Sequence, residues 1–150
     1  MDVRIALFLH VLFVATWFGG TSLMAMYLRD ATRSDNLETM AYALGKAQRW
    51  NLTMFIPTAV IVLLSGIYML LKYAEKPLWL LVKERFGSLF VIVFILVVVF
   101  YGKKLLNQVK ANGVDSIQGQ AILKRYIMIL NLSVLCMAIL IFFVTLKIGQ

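Results

Sequence analysis

The chain has 150 residues, 62% of them hydrophobic, with a mean hydropathy of +0.88 and a formal net charge of +8. A water-soluble domain of this length cannot hide that much apolar surface, so a soluble fold is excluded. The basic residues sit in short segments between apolar runs, which points to anionic lipid headgroups as partners and away from nucleic acid.

Four runs are long enough to cross a hydrocarbon layer of ~30 Å, which needs about 20 helical residues. They cover 5–28, 52–71, 79–101 and 126–146. The first is too long for a signal peptide, and Trp17 and Met24-Ala25-Met26-Tyr27 suit a permanent span better than a cleavage region. The expected fold is all-α: a polytopic membrane protein of one domain, with four transmembrane helices in a bundle and a short amphipathic interfacial helix in the first loop.

The first span contains the only histidine, in the stretch His10-Val-Leu-Phe-Val-Ala-Thr-Trp17-Phe-Gly-Gly20-Thr21. Seven residues advance a helix by nearly two turns, so His10, Trp17 and Met24 share a stripe on which Thr21 also falls. Gly20 lies about one column away. An imidazole, a broad ring and a bare stretch of backbone are what a flat ligand needs, and neutral imidazole is the usual axial ligand of haem iron. The alternative is a bundle-interior histidine bonded to a facing carbonyl or hydroxyl, with Gly19 and Gly20 serving helix packing alone. An ionisable group within a span is a functional hypothesis by default.

In the first loop, Asp35-Asn-Leu-Glu38 has the form of a capping box, with Asp35 as N-cap. Leu37, Met40, Ala41, Leu44 and Ala47 follow at spacings of three and four and give one apolar face. This predicts a helix at the cytoplasmic surface leading into the second span. Pro57 should bend that span near Thr53, whose carbonyl loses its partner, and Gly66 permits close helix approach. Lys76-Pro77 predicts the turn before the third span, and Asn112-Gly113 the turn in the longest loop. Trp50 and Trp79 fall at expected interfaces.

Polar groups sort by depth. His10 lies about 8 Å below its boundary at 1.5 Å per residue. Lys83, Glu84 and Arg85 open the third span on the same side, so Lys83 and His10 come to similar depth. Arg49, Asn51, Arg125 and Asn131 gather at the opposite side. That side carries nine Lys or Arg and the side of the termini six, so the positive-inside rule favours both termini outside the cytoplasm. Cys136 stands alone inside the fourth run and reads as a small apolar filler. The eight methionines are scattered, which suits core filling better than the convergent sulfur of a copper transporter.

His10-x6-Trp17-Phe18-x-Gly20 resembles the signature of the HemJ-type protoporphyrinogen IX oxidases and their CopD-like relatives. The resemblance extends along the chain: Met24 to Arg29, Arg49 to Gly66 with Pro57 between, Trp79 to Lys83, and Arg125 to Lys147 with Asn131. It implies a compact helical bundle in a bacterial or organellar inner membrane that binds haem b or a related porphyrin. Carried over residue by residue, it points to His10 and Lys83 first, Lys83 as the catalytic candidate, with Trp17, Arg125 and Asn131 behind them. Two positions depart from the family pattern. The later spans hold no histidine, and Asn131 is followed by Leu132 and Ser133 where the family carries glutamate and proline. The obvious general base for porphyrinogen oxidation is therefore missing.

The expected function is thus a haem-binding membrane protein with a redox or electron-transfer role. His10 is the proximal metal ligand, and Trp17, Gly20, Thr21, Arg125 and Asn131 contact the cofactor. Lys83, Met24 or Met54 are candidates for the sixth position, and Arg4, Lys83 and Arg85 for the propionates. A homodimer would let two His10 side chains share one iron. The competing reading is a cofactor-free accessory subunit of a larger membrane complex.

Overall fold

The computed structural model describes residues 2–72 and 78–146, and of residues 78–84 the backbone alone. The expected Lys76-Pro77 turn and the side chains of Trp79 and Lys83 lie outside the described residues. Four antiparallel helical rods form a bundle, and the described residues contain no strand.

α1 runs from Val3 to Arg33 and is capped by Asp2, whose carboxylate accepts from the Arg4 amide at 3.0 Å. Its 31 residues make about 46 Å of helix, more than a hydrocarbon layer requires. The first loop then turns through Asp35, which has a positive φ of 49°. This corrects the expected capping box. Asp35 occupies the left-handed turn position, so the cap falls to Asn36, which is extended and accepts from the Thr39 amide at 3.1 Å. The Asp35 carboxylate instead accepts from Gln120 Nε2 at 3.3 Å and ties the loop to the last rod.

α2 (Leu37–Trp50) is the expected amphipathic helix. Its apolar face, Met40, Ala43, Leu44 and Ala47, is buried against α1 and against the helices that end the third rod and begin the fourth. It leads without a break into the second span. A π-helical turn over Asn51–Phe55 joins it to α3 (Ile56–Lys72). That turn lies directly before Pro57, which has no backbone donor to give the Thr53 carbonyl, and in it the Ile56 amide bonds five residues back to the Asn51 carbonyl. The third rod begins as α4 (Leu78–Leu96), passes through a second π-helical turn over Val97–Gly102 and ends as α5 (Lys103–Val109). The loop turns through Gly113 at φ 82°, as its Asn-Gly pair predicts. The fourth rod, α6, is a single helix from Ser116 to Leu146, and Asp115 accepts from the Gln118 amide at its start.

Where the bilayer lies can be read from aromatic and cationic side chains. Lys46 Nζ sits 5.2 Å over the Trp50 ring and 5.9 Å over both Tyr27 and Tyr42. At the other end Lys72 Nζ lies 5.9 Å over Tyr68. Eighteen residues separate Trp50 from Tyr68, about 27 Å of helix, which matches a hydrocarbon core. Between these levels bulky apolar side chains such as Phe8, Leu23, Leu64 and Leu132 face outward. Beyond the Trp50 level, α2, α5 and the ends of α1 and α6 continue as a bundle with exposed charges. We call this the loop side, and the opposite end the terminal side.

Candidate functional site

Toward the terminal side the four rods part around a cavity of about 630 Å³. Its lining is overwhelmingly apolar, and His10 and Trp17 of α1, Gly66 and Met69 of α3, Phe90 of α4 and Met137 of α6 are among its walls. A volume of this size lies within the ~300–1,000 Å³ of typical small-molecule sites.

The His10 imidazole is half-buried and fixed from α3. Its Nδ1 lies 3.0 Å from the Val62 carbonyl and 3.0 Å from Ser65 Oγ. A carbonyl only accepts, so Nδ1 carries the ring proton and donates to it. Ser65 Oγ donates its own proton to the Ile61 carbonyl at 2.7 Å and so has a lone pair to offer the same N–H. In the neutral ring the lone pair is then on Nε2. Gly66 lies against this ring: a Cβ there would stand 3.3 Å from His10 Cε1, a tight contact that the imidazole would ease by moving a few tenths of an ångström. Gly66 was expected to let helices approach closely, and the α1 side chain that it faces is His10.

Trp17 lies two turns deeper and is 2% exposed. Its ring stacks on Phe90 with centroids 5.7 Å apart and meets the Phe94 ring edge-on at 4.9 Å. Such pairs add about 0.5–1.5 kcal/mol beyond burial, so Trp17 is a rigid part of the cavity wall.

The structure brings His10 and Trp17 to one cavity and leaves the other expected site residues elsewhere. Gly20 is covered by the Phe55 ring, which a Cβ would overlap. Thr21 is fully buried one turn below Trp17. Arg125 and Asn131 lie on the exposed face of α6. Lys83 belongs by its backbone to the first turns of α4, on the terminal side as expected. Arg4 and Arg85 are exposed. Of the methionines considered for a sixth position, Met24 is buried against the Asn51 amide and Met54 is exposed. Met69 and Met137 are the ones that line the cavity. Sequence reasoning missed them, and missed Ser65, since nothing in an apolar run says which methionine or hydroxyl faces inward.

A second polar cluster lies near the loop-side boundary. Gln48 Nε2 donates to the Val98 carbonyl at 2.8 Å, the Tyr126 hydroxyl donates to Gln48 Oε1 at 3.0 Å, and Asn51 Nδ2 donates to the Tyr126 oxygen at 2.5 Å. Gly102 leaves room for it, because a Cβ there would meet both Gln48 and Tyr126. Of the expected group of Arg49, Asn51, Arg125 and Asn131, only Asn51 is interior.

Among the described residues no three of His, Cys, Asp and Glu converge. Fold and cavity together define a multi-pass helical membrane protein with a ligand-sized void beside a fixed imidazole. No protein-family model, curated protein or solved structure matches the chain.

Proposed function

We propose that this protein binds haem b in the membrane through His10 and uses it for electron transfer. The observation that carries the reading is the Nδ1–H···O=C bond from His10 to Val62 at the edge of a large apolar cavity. Metal-ligating histidines characteristically donate their second nitrogen in this way, which fixes the tautomer and raises the basicity of Nε2. The apolar walls and the Trp17–Phe90–Phe94 group suit a flat macrocycle, and a bound haem would supply one-electron chemistry at low dielectric. Among the described lining residues there is no carboxylate. This favours electron transfer over porphyrinogen oxidation, which needs a proton acceptor. All nine Lys and Arg of the loop side are exposed, in keeping with that side facing the cytoplasm and anionic lipid, and with both termini on the other face of a bacterial inner membrane.

The test is an absorption spectrum of the purified, detergent-solubilised protein with added haem, oxidised and reduced. A Soret band is expected that weakens or shifts in His10→Ala. No band after haem supplementation overturns the proposal; a band unchanged in His10→Ala overturns the ligand assignment. The same His10–Val62 bond also serves a second reading, a cofactor-free accessory subunit in which the imidazole locks α1 to α3. That reading expects a colourless protein that co-purifies with a larger complex.

A further inference from the structure

Lipid chains accommodate an apolar side chain anywhere on a bundle's surface, but they offer a polar one no hydrogen bond. Outward-facing hydroxyls settle this within their own helix. Thr16 and Thr53, both exposed, donate to the carbonyl one turn back at 2.9 and 2.8 Å. Asn131 does not. It is exposed on α6, and among the described residues its amide has no hydrogen-bond partner. Its depth follows from Tyr126, whose hydroxyl is bonded to Gln48 and Asn51, the two amides that flank Trp50 at the loop-side boundary. Asn131 is five residues further along α6, about 7.5 Å deeper into the hydrocarbon. A carboxamide on a single methylene cannot reach back to water over that distance as a lysine does.

Asn131 also stands in register with its outward neighbours. Met128, Asn131, Leu135, Ala138 and Phe142 follow one another at spacings of three and four in strict alternation, which is the period of a coiled-coil seam. Met128, Leu135 and Phe142 are 66%, 56% and 56% exposed, so the bundle leaves the large positions of this seam uncovered. The opposite side of the same helix, with Leu130, Ser133 and Met137, is buried in the bundle. Lys124, one heptad before Asn131, is exposed at the headgroup level, where its long stem reaches water and salt screens its charge.

We propose that this face of α6 packs against the same face of a second copy of the chain, side by side in one bilayer, with the two Asn131 amides bonded to each other. Copies inserted in one orientation, as their Lys and Arg direct, are related by a two-fold axis along the membrane normal. That axis brings every seam residue to the depth of its twin. A carboxamide is suited to meeting itself, because it has both an acceptor and donors: each amide gives one N–H and accepts one. Another protein would have to carry a polar group at this same depth, whereas a second copy carries it necessarily. The apolar seam residues alone would not drive association, since lipid tails are as apolar as leucine; close packing and the amide pair do. A single polar residue in such a seam also fixes its register. None of the five seam residues lines the His10 cavity, so each copy keeps its own site and the inference does not rest on the haem reading.

The test uses the full-length protein in lipid vesicles, one pool labelled with a donor fluorophore and one with an acceptor, and follows energy transfer as lipid is added. Transfer is expected that falls on dilution as a monomer–dimer equilibrium requires. Asn131→Leu is expected to weaken association by about 5- to 30-fold, the effect of interhelical hydrogen bonding in lipid. Asn131→Gln keeps the amide and should retain most of it. The face is mapped by oxidative crosslinking in cell membranes, in a Cys136→Ala background. Leu135→Cys is expected to give a disulfide-linked product of twice the 17.0 kDa chain mass, and Leu64→Cys, comparably exposed on α3, to give none. Wild-type protein that shows no transfer at any density overturns the proposal, as does association that Asn131→Leu leaves unchanged. A Leu135→Cys product of any other mass means a different partner and overturns the second copy as occupant.

Discussion

Gly19 and Gly20 are neighbours in one helix, yet alanine at the two positions should act with opposite sign. A glycine-to-alanine change in a helix interior gains roughly 0.5–1 kcal/mol of backbone entropy at either site. At Gly19 the new Cβ meets nothing within 4 Å, so the gain stands. At Gly20 it overlaps the Phe55 ring, which is 2% exposed and has no open side to turn toward. Overpacking of this kind costs about 1–3 kcal/mol, so it equals or exceeds the gain. Intrinsic helix terms cancel in the comparison, and the two variants should differ by about 1–3 kcal/mol, roughly 5- to 150-fold in the folding constant. The assay is reversible unfolding in mixed micelles, with Gly20→Ala repeated in a Phe55→Leu background. Removing the ring should relieve the clash and give a coupling of about 0.5–3 kcal/mol between the two positions. Equal effects of the two alanines, or no coupling to Phe55, would refute the packing role of Gly20. If Gly20 contacts a cofactor, Gly20→Ala shifts the haem spectrum and ignores Phe55.

Three further outcomes follow from named contacts. Asn36→Ala should cost about 0.5–2 kcal/mol of stability as the loss of the α2 cap, while Asp35→Ala should cost less, and chemical unfolding distinguishes them. Tyr126→Phe strands Gln48 Oε1 and one Asn51 N–H in the interior and should destabilise by about 1–3 kcal/mol per stranded group, read as a lower unfolding midpoint. Ser65→Ala leaves His10 its Val62 bond but removes the second acceptor. Under the haem proposal it should weaken haem affinity by about 10-fold or more without removing the Soret band, measured by titration.

The number and order of the spans were legible because apolar runs report directly on hydrocarbon crossing. Their ends were not. The fourth run reads as 126–146, yet α6 begins at Ser116, and the third rod reaches Val109 where the run ends near Tyr101. Outside the bilayer a helix continues for as long as something covers its apolar face, and here α2 does so. Gly119 shows the contact: a Cβ there would stand 2.7 Å from Leu37 Cδ1 and 3.2 Å from Met40 Sδ. Pro57 marked the place where α2–α3 departs from regular geometry, but not the form of the departure. The second π-helical turn, Val97–Gly102, contains no proline. Only its consequence, a backbone carbonyl offered to Gln48, shows what it provides.

The site divides along a different line. Depth is legible from sequence, because it needs only counting from an interface. The direction a side chain faces depends on how its helix is rotated about its axis. α1 announces its rotation, since His10, Trp17, Thr21 and Met24 form a column that contrasts with the rest of the helix. Three of them, Trp17, Thr21 and Met24, are buried. α6 is apolar all round and announces nothing. It turns Tyr126, Leu130, Ser133 and Met137 inward at spacings of three and four. Asn131 follows Leu130 by 100° of rotation and so faces outward with Arg125. A polar residue in a uniform span is thus weak evidence for a site, whereas a polar residue in a patterned one is strong evidence. His10 stands in a patterned span, and there the structure turns it to the cavity that Trp17 also lines.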